Sequence, residues 1–353
     1  MQEVTFDLQT ITPLFMAGAD QATAELRAPS FRGEMRYWQR ALVGSVVGTT
    51  GEGIKQVADC EKDIFGATDK SSLIQARIHA RPQTTRLERE GRTRATATGR
   101  DYLLWSALQG QRPAIPPQTT FQITLTSRHP DKELELPALE KGVGAFWLLT
   151  HLGGVGTRSR RCAGSLSITR TKGETFGFPF HIPTSAEELQ KQLSEGISRS
   201  KSLYESREVT VRQKPSFDIL RSDACLIWIL LNNGKPWQDA NQAMRDIGSK
   251  LRQYREEMPM NERKIFGIPV MVMTNSRSHP YTIQGAGKHY KRVASPIHLR
   301  LSKLQIGNQK QYVGVATLFK TKWDDMSEKD YEQYALIEKW IQQEFAAAPR
   351  VIL

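Results

Sequence analysis

The order of secondary-structure elements predicted for residues 4–170 constrains the fold more than any other feature of the sequence. Apolar and polar residues alternate in 4–11, 74–86, 119–127 and 165–170, with the period typical of strands. Apolar residues at helical spacing occupy 29–47, where Ser30 is the expected N-cap, and 137–152. The resulting order, strand–helix–strand–strand–helix–strand, is that of the ferredoxin-like fold.

A second unit of similar kind is predicted in the C-terminal half. Its predicted strands and helices are 225–231, 237–255, 269–274, 295–301, 312–320 and 328–347. Residues 87–100 are rich in Thr, Gly and Arg and are expected to form a projecting loop or hairpin. We therefore predict an α+β chain with two ferredoxin-like (βαββαβ, RRM-like) domains. They comprise residues 1–175 and 209–353, and 176–208 form a linker with one short helix.

Residues 152–164 (LGGVGTRSRRCAG), the glycine–arginine loop, separate the second predicted helix from the strand that follows it. Gly153, Gly154, Gly156 and Gly164 allow positive φ angles and a close approach of another molecule. Arginines at 158, 160 and 161 place positive charge on the same bend. The sequence lacks the Gly-Lys-Ser/Thr of a P-loop, so the loop predicts binding of a polyanion without nucleotide hydrolysis.

The distribution of charge points to nucleic acid as that polyanion. The chain carries a formal net charge of +12, and no carboxylate lies between Glu140 and Glu174 or between Glu262 and Asp324. These two stretches contain six and eleven basic residues. A third basic region, residues 77–100, has seven arginines against Glu88 and Glu90. Such segregation is typical of nucleic-acid binding, although a merely basic surface is the simpler alternative.

The predicted helix 29–47 carries a row of arginines at 32, 36 and 40. A spacing of four places them on one helix face, where they can follow phosphates without reading bases. The alternative is a solvated face with some arginines paired to Glu34 or Asp20. Gly33 lowers helix stability by roughly 1 kcal/mol relative to Ala, which suggests that something passes close to it.

Several short motifs resemble the RAMP superfamily of CRISPR systems in their order and spacing. They are 12–20 (TPLFMAGAD), 25–40 (ELRAPSFRGEMRYWQR), 64–66 (IFG), the glycine–arginine loop, 265–269 (IFGIP) and 292–298 (RVASPIH). Within the superfamily the chain is most similar to the first-numbered Cmr subunits of type III-B effector complexes. The motifs span residues 10 to 300, and the second half lacks a clear copy of the loop, unless 284–288 (QGAGK) is a shortened one.

The resemblance implies two ferredoxin-like domains packed together, with glycine-rich loops facing a basic cleft. It implies a non-catalytic subunit near the guide 3′ end that helps capture target RNA in antiviral defence, with guide RNA, target RNA and other Cmr subunits as partners. The RNA-binding candidates are Arg27, Arg32, Arg36, Arg40, Gly153, Gly154, Gly156, Arg158, Arg160, Arg161, Lys288, Lys291 and Arg292.

Two other functions remain open at this stage. One is a metal-independent endoribonuclease that processes guide RNA, for which His151 is the only histidine placed suggestively. The structural alternatives are a His151 ring satisfied by carbonyls at the helix end, a salt bridge between Asp20 and Arg27, and packing of Trp38 and Trp105 in the core. The other function is a purely structural adaptor.

The composition predicts a cytoplasmic protein without a cofactor, a metal or a membrane segment. The longest apolar run, 224–231, is far too short to cross a bilayer, and no secretory segment is expected at the N-terminus. The three cysteines match no zinc pattern and are expected to be reduced.

Overall fold

The computed structural model describes residues 2–80, 82–93, 96–128, 132–204, 213–267, 270–274, 277–281, 293–323, 326–345 and 348–353. Three of the RNA-binding candidates, Lys288, Lys291 and Arg292, lie outside the described residues, as do residues 284–288. The elements of the first half are β1 Gln2–Thr10, α1 Ala28–Val47, α2 Glu52–Phe65, β2 Ile74–His79, β3 Thr85–Arg86, α3 Gly99–Gln109, β4 Pro113–Ala114, β5 Thr120–Ser127, α4 Lys132–Leu152 and β6 Leu166–Lys172.

The first half folds into a four-stranded antiparallel sheet with the strand order β2-β5-β1-β6. This is the ferredoxin-like order that the sequence predicts. The alternation in β1 places Val4, Phe6 and Leu8 on the face that packs against α1 and α4. The polar residues between them lie on the opposite face of the sheet.

The segment predicted as a linker contains a longer helix than expected. Helix α5, Ala186–Lys201, has 16 residues, and Ser185 caps it by accepting from the Glu188 N–H at 3.1 Å. Leu189 and Leu193 are fully buried in the main core, and the helix packs against α4. This segment therefore contributes to the core, and the division into domains stays a prediction.

The second half repeats the same topology. Its elements are β7 Cys225–Leu230, α6 Ala240–Glu257, a 3-10 turn Arg263–Phe266, β8 Val270–Thr274, β9 Arg277–Tyr281, β10 Ile297–Ile306, β11 Gln309–Phe319, α7 Glu328–Glu332, α8 Tyr334–Glu344 and β12 Arg350–Val351. The sheet order is β10-β11-β7-β12, again the ferredoxin-like order. The β8–β9 hairpin is inserted between α6 and β10.

The second sheet is buried on both faces. In β7, Leu226, Trp228 and Leu230 pack with α6 and α8, whereas Ile227 and Ile229 join the core of the first half. Helix α4 contacts strands of both sheets, which explains why its residues 142–150 are buried on every side. The layers are therefore the first sheet, α1 with α4, the second sheet, and α6 with α8.

The described residues 87–93 and 96–98 form an irregular loop, as expected, and this loop is held against the second half of the chain. It leads into α3, whose Gly99 lies against Gly248 of α6, and Glu90 pairs with Arg245 at 2.8 Å. Two local expectations are wrong. Helix α1 begins one residue earlier than predicted, and its N-cap is Arg27, whose side chain makes no capping hydrogen bond. Helix α4 begins at Lys132 and includes Pro137.

Candidate functional site

The glycine–arginine loop joins the two halves of the molecule. The Thr157 N–H donates to the Phe15 carbonyl at 2.8 Å, on the chain that leads from β1 to α1. Further along the loop, the Cys162 N–H donates to the Leu299 carbonyl of β10 at 2.7 Å. The Ser165 hydroxyl accepts from the Leu301 N–H at 3.0 Å. The loop is thus hydrogen-bonded on one side to the chain between β1 and α1 and on the other side to the edge strand of the second sheet.

Most glycines of this loop are explained by contacts within the chain. A Cβ on Gly153 would lie 2.4 Å from Trp38 Nε1, and one on Gly164 would lie 1.9 Å from the Val155 carbonyl oxygen. A Cβ on Gly154 would meet two carbonyl oxygens of the loop at 3.0 and 3.2 Å. Gly156 has φ +83°, and a Cβ there would lie 2.4 Å from the Phe15 carbonyl oxygen, so the chain itself requires this glycine too. Gly156 also lines an open cleft.

This cleft, called the α1 cleft below, has a volume of about 410 Å³. It lies between the chain that leads into α1, the first turns of α1 and the glycine–arginine loop. Its lining residues are Phe15, Met16, Ala17, Gln21, Ser30, Gly33, Glu34, Arg112, Gly156 and Thr157. A volume of this size is in the range of small-ligand sites.

The N-terminal turns of α1 form one wall of the α1 cleft. Ser30, Gly33 and Glu34 share one helix face, and a Cβ on Gly33 would meet no atom within 4 Å. No described part of the chain approaches Gly33, so the expectation that something passes close to it stays a prediction. No side chain caps the helix. Pro29 has no N–H, and the Ser30 N–H donates to the Arg27 carbonyl at 3.0 Å, so the helix dipole, rather than a row of free N–H groups, favours an anion there.

Arg112 contributes a positive charge to the opposite wall. It is exposed, and its Nη1 donates to the Thr157 hydroxyl at 3.3 Å. Arg86 lies across from Pro113 in the β3–β4 pair, next to Arg112 in space and without an ion-pair partner among the described residues. The sequence pattern does not single out Arg112, because it predicts no element between residues 100 and 119, where most of α3 and Arg112 lie.

The row of arginines on α1 is largely occupied by an acidic partner. Arg36 Nε and Arg40 Nη1 contact the two oxygens of Glu61 on α2 at 2.6 and 2.8 Å. The partner is therefore Glu61, not Glu34 or Asp20. Arg32 has no hydrogen bond or ion pair with any described residue, so it is the member of the row whose charge is available.

The expected salt bridge between Arg27 and Asp20 does not form. Arg27 lies 3.8 Å from Glu25, and both side chains are largely exposed. Asp20 instead accepts from the Ala22 N–H at 3.2 Å and from the Thr23 hydroxyl at 3.3 Å. Asp20 therefore stabilises a turn in the chain that leads into α1.

The three arginines of the loop point into the protein. Arg161 is 7% exposed and donates to the carbonyls of Phe266 and Ile297, and Arg158 Nε donates to the Leu103 carbonyl at 2.7 Å. Burial lowers the pKa of both guanidinium groups. Arg160 donates to the Ser295 carbonyl at 2.6 Å. The contacts of Arg160 and Arg161 tie the loop to the second half of the chain, and the contact of Arg158 ties it to α3.

Glu34 is the carboxylate of the α1 cleft. Burial raises the pKa of Glu34 above its usual range, and the charge of Arg160 partly opposes this rise. A charged carboxylate repels an anion and a protonated one does not, so the protonation state of Glu34 changes the electrostatic potential in the cleft.

His151 does not lie in the α1 cleft. Its Nδ1 is 2.8 Å from the Trp147 carbonyl and its ring stacks on Trp147, which confirms a histidine satisfied at a helix end. Burial lowers the pKa of His151 to about 3, so the ring is neutral. Trp38 is fully buried, whereas Trp105 is partly exposed under the Arg89 guanidinium.

The described residues contain neither a cluster of metal ligands nor a membrane-spanning helix. No group of three or more His, Cys, Asp or Glu side chains in that part of the chain is arranged to hold a metal ion. None of its helices combines the length and the apolar character that crossing a membrane requires.

Known proteins similar to this chain share both sequence and fold with it. The Cmr subunit Cmr1-2 of the Pyrococcus furiosus CRISPR system is 33% identical over 188 residues, which cover 48% of this chain and 96% of the relative. The subunit Cmr1-1 of the same organism is 25% identical over 304 residues, which cover 83% and 81%. The crystal structure of P. furiosus Cmr1 in its apo form superposes with a TM-score of 0.66 at 18% identity, over 99% of both chains.

A second solved structure has the same fold. A chain in a type III-B Cmr-beta complex bound to cognate target RNA superposes with a TM-score of 0.62 at 14% identity, over 97% of this chain and 99% of that one. Residues 7–167, which contain the α1 cleft and the glycine–arginine loop, match the RAMP superfamily. By this match and by its identity to the Cmr1-2 subunit, the chain belongs to the RAMP superfamily.

Proposed function

We propose that this chain is a non-catalytic, RNA-binding subunit of a type III-B Cmr effector complex and that it holds RNA in the α1 cleft. The observation that carries the proposal is the convergence of an uncapped helix N-terminus, the open side of Gly33, Gly156 and Arg112 on one cleft. The positive end of a helix dipole and an arginine guanidinium both attract phosphate oxygens. The names of the relatives support the assignment to a Cmr complex.

Arg112, in the wall of the α1 cleft, and Arg32, which lies on α1 outside the lining of the cleft, are the phosphate contacts that we assign, with Arg27 and Arg86 at the edge of the cleft. Arg36, Arg40, Arg158 and Arg161 already donate to groups of the protein, so we give them the role of fixing the walls. RNA near the guide 3′ end, either the guide itself or the captured target, is the proposed ligand.

Holding RNA is favoured over cutting it. The described residues that line the α1 cleft include no histidine, lysine or tyrosine, the side chains that metal-free RNA cleavage uses for proton transfer. Glu34 and Arg112 are the ionisable groups of this lining. Cleavage needs one group that accepts a proton and another that donates one, and Glu34 alone cannot supply both.

The test is the salt dependence of binding to single-stranded RNA, measured by fluorescence anisotropy for a guide 3′ fragment and for a target fragment. For each phosphate contact, the logarithm of the binding constant falls by about 0.7 per unit of log salt concentration. The double variant Arg32→Ala/Arg112→Ala should bind more weakly and lose about 1.4 from this slope.

Arg170→Ala/Arg350→Ala is the matched control, because both arginines are exposed and have no ion-pair partner among the described residues. The control should keep the wild-type slope. An RNA affinity that ignores salt, or equal effects of the two double variants, contradicts the proposal. Wild-type protein that assembles with Cmr subunits yet forms no RNA crosslinks would instead identify a structural adaptor.

A further inference from the structure

A strap from the second half of the chain crosses α1 close to the glycine–arginine loop. The Leu220 N–H donates to the Ala41 carbonyl of α1 at 2.9 Å. Phe217 and Ile219 pack so closely on Gly44 that a Cβ there would lie 2.7 and 2.8 Å from their side chains. Asp218, between these two residues, is therefore held at a fixed position beside α1.

The carboxylate of Asp218 is the centre of a hydrogen-bonded group. Its Oδ2 accepts from the Tyr37 hydroxyl at 2.6 Å, and its Oδ1 accepts from the Thr321 hydroxyl at 2.6 Å. Since Tyr37 donates its one proton to Asp218, His298 Nε2, at 3.1 Å, donates to the Tyr37 oxygen. These partners come from α1, from β10 and from the chain after β11.

Arg160 brings the glycine–arginine loop into this group. Its Nη2 lies 3.7 Å from Asp218 Oδ2, with side-chain exposures of 27% and 17%, and its guanidinium lies 5.3 Å from the centre of the Tyr37 ring. The Arg160 carbonyl accepts from the Leu299 N–H at 3.3 Å. The loop is thus anchored at Arg160, four residues after Gly156, which lines the α1 cleft.

We infer that Asp218 is a positioning residue for RNA binding: through Arg160 it holds the glycine–arginine loop as the wall of the α1 cleft, without touching RNA itself. The inference rests on the proposed function. The change in RNA affinity that it predicts on removal of the Asp218 charge is opposite to the change that simple electrostatics predicts. A carboxylate near bound RNA repels phosphate, so its removal alone strengthens binding, whereas removal of a positioning group weakens binding.

The first experiment uses Asp218→Asn, which keeps the shape of the side chain and removes its charge. We expect RNA affinity to fall about fivefold or more, the usual scale of coupling between separate positions. The slope of affinity against salt should stay at the wild-type value, because no phosphate contact is lost. Hydrogen exchange of the Thr157, Ser159 and Arg161 amides, which are hydrogen-bonded in the loop, should become faster.

Tyr37→Phe provides a second variant that removes one hydrogen bond from Asp218 without any change of charge. It should produce a smaller effect in the same direction. Asp246→Asn is the matched control: Asp246 accepts from Trp237 Nε1 at 2.7 Å in the second half of the chain, away from the α1 cleft. The control should lower stability while RNA affinity and loop exchange stay at wild-type values.

The inference is overturned if Asp218→Asn binds RNA as tightly as the wild type or more tightly, or if the loop amides exchange at the wild-type rate. A wild-type protein without salt-dependent RNA binding would contradict the proposed function instead. In that case the exchange rates still decide whether Asp218 holds the loop.

Discussion

The arginines around the α1 cleft differ in what their guanidinium groups already bind. Arg36 and Arg40 share Glu61, and Arg161 is buried against carbonyl oxygens, whereas Arg32 and Arg112 keep most of their donors free. The sequence identifies the positive charge and its clustering, but it cannot show which charges are neutralised. Glu61 lies 21 residues after Arg40, on a helix that the sequence pattern did not predict.

Glu34 predicts a pH dependence of RNA binding. Burial raises its pKa above 4.5, so as the pH falls through this raised value the carboxylate takes up a proton and stops repelling phosphate. RNA affinity should therefore be higher at pH 5 than at pH 7.5. Glu34→Gln should bind more tightly than wild type at pH 7.5 and should show less change between the two pH values.

Anisotropy titrations of both proteins at both pH values measure this effect. The difference between them isolates Glu34 from every group that the two proteins share. An identical pH dependence in the two proteins contradicts the assignment of Glu34 to the RNA site.

At the scale of elements, the sequence predicts well those segments that bury one face. The alternation of β1 and β5 and the apolar pattern of α1 locate these elements to within one or two residues. Helix α3 was missed because the segment that leads into it, up to residue 98, is basic and rich in Gly and Thr, which is typical of a loop. Its capping box, Thr98 with Asp101, is a start signal that is visible in the sequence.

The last strand could not be read from local sequence. Strand β12 has two residues, Arg350 and Val351, which are too few for any period. It forms because the edge of β7 accepts it: Val351 pairs with Ile227. Only the requirement of the ferredoxin-like topology for a fourth strand points to it.

The contact between α3 and α6 predicts a strong effect at a glycine. A Cβ on Gly248 would lie 2.0 Å from the Gly99 carbonyl oxygen, so Gly248→Ala forces the two helices apart. Overpacking of this kind costs typically about 1–3 kcal/mol, against a gain of about 1 kcal/mol from helix propensity. Urea unfolding followed by circular dichroism should show lower stability.

Gly33→Ala is the control for this change, because its Cβ points into open space in the α1 cleft. It should raise stability by up to about 1 kcal/mol, as expected for Gly→Ala in a helix. A Gly248→Ala protein as stable as the wild type would contradict the close helix contact.

For the molecule as a whole, each of the two hydrophobic clusters contains residues of both ferredoxin-like units. The predicted division at residues 175 and 209 follows the sequence pattern, but α4 packs between the two sheets and α5 packs against α4. A sequence pattern shows that a strand such as β7 is apolar on both faces. It cannot show that the second face is covered by helices that lie about 80 residues earlier in the chain.

The shared core predicts that both halves unfold in one cooperative transition. Ile227 belongs to the second sheet, yet its side chain is fully buried in the core of the first half. Ile227→Val removes one methylene, at a cost of about 0.5–1.5 kcal/mol. In one cooperative unit, this loss should lower the protection of the slowest-exchanging amides of β1 and of β11 by the same amount.

Hydrogen exchange with mass spectrometry measures both strands in one sample, and calorimetry should show a single transition. A loss of protection confined to β11, or two separate transitions, would mean that each half folds on its own core.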